Sequence, residues 1–187
     1  MSVSSHQPAQ RGSALIISLL MLVLIALLGV SMMRSVSLES RIVGNSGEKQ
    51  HAFQASQTAL QYGEWWLTQI DNASTGVNCT TTTATPVVCS NLQTLATLTA
   101  TPWTTIGAPY TPPTVNGVVP LNVSTTGGVG TYYATPQIYI AYLGTTGSNQ
   151  AKLYQVTAVA YGGNANAVSV VQSTYAVNSS VRDLGGQ

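Results

Sequence analysis

Few side chains in this sequence carry reactive chemistry. Cys79 and Cys89 stand ten residues apart in a Thr-rich, charge-free stretch, where two thiols either join as a disulfide or ligate a metal. The histidines are His6 and His51, and neither forms an evident Ser–His or Cys–His nucleophilic pair. Two Cys without a nearby His make a poor zinc site. Glu64 and Asp71 lie two helical turns apart and read as solvating a helix end rather than as an acid–base pair. Asn72, Asn78, Asn122 and Asn178 each begin an Asn-x-Ser/Thr triplet, which a chain rich in these residues produces by chance. No Gly-rich phosphate loop follows a strand. The residues therefore predict no catalytic group, no cofactor and no metal, and point to binding instead.

Composition narrows the class. The 187 residues suit one ordinary domain with an extension. Charged residues make up 6% of the chain, against about 25% in a typical soluble domain. The net charge of +1 leaves no basic patch for nucleic acid. A hydrophobic content of 44% excludes charge-driven disorder. From Asn72 to Val181 the only charge is Lys152. Neutral surfaces tend to associate, so this stretch reads as a Thr/Asn/Gly-rich β domain that lives against neighbours.

The elements that must position these residues begin with Ala14 to Met33, a run of 20 without a charge. As a helix it rises about 30 Å, the thickness of a bilayer's hydrocarbon. Twelve of its residues are Leu, Ile or Val. At about −0.3 to −0.6 kcal/mol each they outweigh Ser18, Gly29 and Ser31, and insertion wins. A soluble core has no use for a helix apolar on every side. Gly29-Val30-Ser31 offers a small-x-small cleavage site, but the run exceeds the usual apolar region of a secretory signal of about 7–15 residues. Helical sequence also continues past it. Arg11 on one side and Arg34 and Arg41 on the other leave orientation open. A domain tethered outside the cytoplasm sits where disulfides persist, so Cys79 and Cys89 are expected to pair.

From Ser35 to Ile70 there is no Pro, and the helix is predicted to continue. Phe53, Leu60 and Leu67 recur every seven residues beside Ala52, Ala59 and Trp66, with Ala55 and Tyr62 between. That stripe predicts packing on a sheet, with Glu39, Arg41, Glu48, Lys49 and Gln57 off it. Trp65 lies about 48 Å beyond the span along a straight helix, too far for a membrane belt, and Trp66 is expected in the core. Gly44-Asn45-Ser46-Gly47 is the weak spot, since each Gly costs about 1 kcal/mol relative to Ala. A kink or local melting is expected there. Residues 90–131 are broken by Pro102, Pro109, Pro112, Pro113 and Pro120 and predict loops with irregular strands, Gly117 to Val123 among them. Gln137 to Tyr142 alternates at strand period, and Gly144 to Gly147 marks a turn. Leu153 to Tyr161, a turn at Gly162–Asn166 and Ala167 to Val177 complete an antiparallel meander.

Several segments resemble one family. The polar leader ending Gln10-Arg11-Gly12-Ser13 before an apolar helix looks like the signal of type IV prepilins. Leu38-Glu39, Gly44-Asn45 and Ala52-Phe53-Gln54-Ala55 resemble the PilX-type minor pilins, as do Tyr154–Gly163 and Val170–Tyr175 near the C-terminus. The resemblance covers residues 10–64 and the C-terminal third, leaving 72–131 unmatched. It departs at Gln57, where the family often has an acidic residue, and at Ser13, where major pilins begin with Phe.

The resemblance implies a single α+β, pilin-like fold: a leader at 1–12, a membrane-spanning helical half at 13–34, an amphipathic half at 35–71 and a β-rich head at 72–187. The helix would total about 55 residues. It implies cleavage by a prepilin peptidase between Gly12 and Ser13 and N-methylation of Ser13. It also implies a place in the inner membrane of a Gram-negative bacterium before assembly, then in the pilus. The implied partners are other minor pilins, the major pilin and a PilY-type tip adhesin, with no nucleic acid bound by this subunit alone. Bulk pilins carry a Glu at the fifth mature position, here Ile17. A carboxylate within the bilayer costs about 3 kcal/mol and needs a partner. The family's partner is the amino terminus of a neighbouring subunit, an ion pair that Ile17 cannot make. This subunit is thus expected to initiate or cap a filament, without catalysis, in support of motility, adhesion or DNA uptake. A tip pseudopilin of a type II secretion system, which also lacks that Glu, is the alternative within the same architecture. A tethered periplasmic hydrolase or binding protein is a second class, disfavoured by the missing catalytic set.

Overall fold

A computed structural model describes residues 13–114, 123–126, 130–146 and 151–178. The chain opens with helix α1, Ser13–Leu67, 55 residues long. It stops three residues before the expected Ile70 because the last turn tightens: Thr68 N bonds Trp65 O at 3.0 Å and Gln69 N bonds Trp66 O at 3.2 Å. Asp71 then takes a left-handed φ of 67°, and Asn72 Nδ2 donates to Trp66 O at 2.8 Å. The chain cannot continue as helix beyond that point. Through Gly44–Gly47 the helical assignment is unbroken, so no melting is seen at that site. Glycine weakens a helix through backbone entropy without removing its hydrogen bonds.

Two compact units divide the chain, residues 1–44 and 45–187. In the first, the described residues all belong to α1. Every large apolar side chain from Leu15 to Met33 is between 46% and 77% exposed, and Val36, Leu38, Ile42 and Val43 extend that surface. By length and composition this is a helix able to cross a membrane, with a mean hydropathy of 2.9 over its most apolar window.

The second unit is a sheet with a packed layer on each face. Its strands are β1 (Val88–Cys89), β2 (Ala108–Pro109), β3 (Gln137–Thr146), β4 (Ala151–Tyr161) and β5 (Val168–Val177), with a short helix α2 (Leu95–Thr99) after β1. The order is β1-β3-β4-β5, and β2 also pairs with β3. β3, β4 and β5 form the expected antiparallel meander. β1 adds a parallel pair, Val88 opposite Ile140, which the sequence did not suggest. The turn expected at Gly144–Gly147 is also displaced. Gly144 and Thr145 still pair with β4, after a register shift between Tyr142 and Gly144, and Gly144 takes a φ of 122° there. The glycine serves a bulge, not a turn; Gly147 lies outside the described residues, as do residues 117–122 of the expected strand.

Period-two alternation sends the strand side chains to two cores. Ile138, Ile140, Tyr154, Val156 and Ala158 face α1 with Ala59, Tyr62 and Leu67. Tyr139, Ala141, Val159 and Tyr161 face the opposite layer, built from Cys79, Cys89, Leu98, Trp103 and Ile106. Ahead of Tyr62 and Leu67, the buried face of α1 is made of small residues: Ala52, Ala55, Ser56 and Ala59 are each 0% exposed. Phe53, expected in the stripe, is 45% exposed instead. Small side chains let the helix approach closely, and a Cβ on Gly63 would meet Val156 Cγ1 at 2.8 Å. A phenylalanine on that face would hold helix and sheet apart, so the buried face rotates away from it. Trp66 is half-buried against this core, and Trp65 is exposed.

Candidate assembly surface

The candidate surface begins at the start of α1. Gly12 lies outside the described residues; Ser13 is the first helical residue and is exposed. Ile17 is 58% exposed, one of an unbroken set of apolar neighbours. The polar Ser18 turns its hydroxyl back to donate to Leu15 O at 2.9 Å. A hydroxyl satisfied within its own helix can enter a dry environment at little cost. Nothing among residues 13–33 is charged, so this surface can be stabilised by lipid tails or by other helices, both of which exclude water.

In the head, the disulfide Cys79–Cys89 closes a ten-residue separation, with its Cα atoms 5.4 Å apart. The side chain of Asn91 clamps it from outside: Cys79 N donates to Asn91 Oδ1 at 2.8 Å, and Asn91 Nδ2 donates to Cys79 O at 2.9 Å. Tyr139 Oη donates to Asn91 O at 2.6 Å. Burial pushes the Tyr139 phenol above its usual pKa, and a hydrogen bond from Gln93 opposes that rise. Asn91 was not singled out in the sequence, because nothing local marks an Asn that bonds twelve residues back. The layer is finished by α2, whose N-cap Thr94 accepts from Thr97 N at 3.2 Å, and by Trp103 Nε1 donating to Leu98 O at 2.9 Å.

The remaining candidates are held in structural contacts. His51 stacks on Tyr132 with ring centroids 4.3 Å apart. Glu64 Oε1 accepts from Ser173 Oγ at 2.6 Å, tying α1 to β5 rather than solvating the helix end. Asp71 sits at the left-handed turn that follows α1. Lys152 Nζ donates to Ala73 O at 2.7 Å. Asn72 is engaged on Trp66 O, Asn78 and Asn178 are exposed, and Asn122 is outside the described residues. No group of His, Cys, Asp and Glu able to hold a metal occurs among the described residues. One apolar recess of about 290 Å³ is lined by Tyr62, Trp65, Tyr110, Pro112 and Pro113 with Thr58 and Gln61 at its edge. In it Tyr62 stacks on Trp65 with ring centroids 5.9 Å apart and meets Tyr110 edge-on at 5.3 Å.

Two family models match the chain. One, described as PilX N-terminal, covers residues 11–61. The other, described as type IV pilus assembly protein PilX C-term, covers residues 66–177. No curated protein and no solved structure matches it.

Proposed function

The chain belongs to the PilX family of type IV pilus minor pilins, and from that membership we propose that it primes pilus assembly and stays at or near the filament tip. Its single apolar helix anchors it in the inner membrane first and enters a bundle of like helices afterwards. A prepilin peptidase cuts after Gly12 and methylates Ser13. Its contacts are other minor pilins, the major pilin and a PilY-type tip adhesin, and its work is binding and polymerisation.

The observation that carries this reading is Ile17. The start of α1 is a continuous, exposed apolar surface with no carboxylate. A subunit inserted behind an earlier one in the family engages that neighbour's amino terminus through a Glu. A chain without it loses nothing only where no earlier neighbour exists, which is the first position. We expect mass spectrometry of the mature protein to find N-methylated Ser13; an amino terminus at Met32 would mean conventional secretion and overturn the assignment. Immunogold labelling of Ile17→Glu cells should spread label along filament shafts, whereas wild-type label clusters at one end. Label along the shaft in the wild type refutes tip placement.

A further inference from the structure

One recess of the second unit has a lining that the pilus reading leaves unused. It is formed by Thr58, Gln61, Tyr62 and Trp65 of α1 with Tyr110, Pro112 and Pro113, all within residues 45–187. Its volume of about 290 Å³ lies at the small end of the range of about 300–1,000 Å³ for ligand pockets, which suits one ring-sized group. No residue of the lining is charged. Glu64, the nearest carboxylate along α1, is engaged by Ser173 Oγ at 2.6 Å.

The three aromatic rings are not equivalent. Tyr62 and Tyr110 are 9% and 5% exposed, whereas Trp65 is 43% exposed. Tyr62 stacks on Trp65 at an interplanar angle of 25° and meets Tyr110 at 85°, so two buried rings hold one open one. An indole face presents the negative side of its quadrupole and favours C–H groups laid flat on it. The polar edge is equally specific. Thr58 Oγ1 donates its proton to Gln54 O at 2.9 Å and has only lone pairs left to offer. Exposed Gln61 carries both donors and an acceptor. A ligand that satisfies this lining brings an apolar face with proton donors at its rim.

We propose that this recess binds a neutral sugar. One pyranose ring lays its C–H face on Trp65, donates a hydroxyl proton to Thr58 Oγ1 and exchanges hydrogen bonds with the Gln61 amide. Each rival fits less of the lining. A proline-rich segment would stack on the same rings, but its prolines bring carbonyls and no N–H, leaving Thr58 unmet. A wholly apolar side chain would cover Thr58 and Gln61 without a partner for either, which costs free energy. A quaternary ammonium is held by several open ring faces, and here only Trp65 has one. Phosphates, nucleic acids and acidic sugars would meet no cation.

The proposal goes beyond the pilus assignment and does not depend on it. The full-length chain, in a detergent without a sugar headgroup, is titrated with methyl glucoside, methyl galactoside, methyl mannoside and N-acetylglucosamine. N-acetylneuraminic acid, tetraproline and choline serve as contrasting probes. Saturation-transfer NMR should show at least one neutral sugar bound, with saturation strongest on the ring protons of one face. Trp65→Ala should weaken that binding by about tenfold or more, and Trp65→Phe, which keeps an aromatic face, by less. Gln61→Leu, at an exposed helix position, should weaken it while leaving the melting temperature in place, and so keeps the test valid if Trp65→Ala fails to fold. No neutral sugar bound at tens of millimolar overturns the proposal. Binding unaltered in a folded Trp65→Ala chain also overturns it, because the sugar then sits elsewhere. Tetraproline or choline bound in preference to every sugar assigns the recess to that probe, against the proposal.

Discussion

At the scale of single residues, the same substitution has opposite consequences along one helix. A Cβ on Gly63 meets Val156 Cγ1 at 2.8 Å, and Val156 is 0% exposed with no flexible end to move. Overpacking of about 1–3 kcal/mol exceeds the gain of about 1 kcal/mol from replacing a helical Gly. Gly63→Ala should therefore lower stability in urea unfolding; a higher midpoint would refute the tight helix–sheet contact. Tyr154 gives a pH test. It is 0% exposed and donates to Ser74 O at 2.8 Å. Burial first, then Tyr142, raises its pKa from 10.0 to about 12. The unfolded chain releases this proton before the folded one does, so its contribution is complete below pH 10 and is lost as pH rises towards 12. Alkaline titration of stability should show that fall, and Tyr154→Phe should flatten it. The spacing of the cysteines was readable in the sequence. The roles of Ser56, Asn91 and Glu64 were not, because each depends on a partner 12 to 113 residues away.

At the scale of elements, legibility followed period. The apolar run, the long helix and the β3–β5 meander each carry a period readable in the sequence, and the structure contains the helix and the meander, with the helix ending at Leu67 instead of Ile70 and β3 running on to Thr146 through the expected turn. The layer of β1, α2 and β2 has elements of two to five residues, too short for any period. It coheres through the disulfide, the Asn91 clamp and Trp103, which are contacts rather than patterns. The stripe holds at Ala52, Ala55, Ala59, Tyr62 and Leu67 and fails at Phe53: heptad spacing finds a face, but volume against the sheet decides which of its side chains is buried. Gly44 and Gly47 sit in neither core, and nothing lies within 4 Å of a Cβ at either. Their glycines thus serve backbone freedom, not close approach. Changing both to Ala should slow amide exchange across 44–47 and stabilise the helix by about 1 kcal/mol per site. Reducing Cys79–Cys89 should cost about 2–3 kcal/mol, visible as a lower melting temperature with dithiothreitol; an unchanged value would mean that the Asn91 clamp alone holds the layer.

At the scale of the whole molecule, the two units answer to different solvents. The described residues of the first expose an uncharged apolar surface that water alone does not stabilise. The second holds both cores from Ala52 onward within residues 45–187. A fragment beginning at Asn45 keeps Ala52, Ala55, Ser56 and Ala59, and with them the buried helix face of the second unit. It should fold with its disulfide formed, unfold in one cooperative transition and leave the membrane fraction. Beginning instead at Gln57 removes three of those four small residues and should abolish the transition. In cells lacking the full-length protein, the Asn45 fragment should fail to restore surface pili, because the exposed apolar surface of residues 13–43 is gone. Restored piliation by that fragment would show that the apolar helix is dispensable, and that the head alone directs assembly.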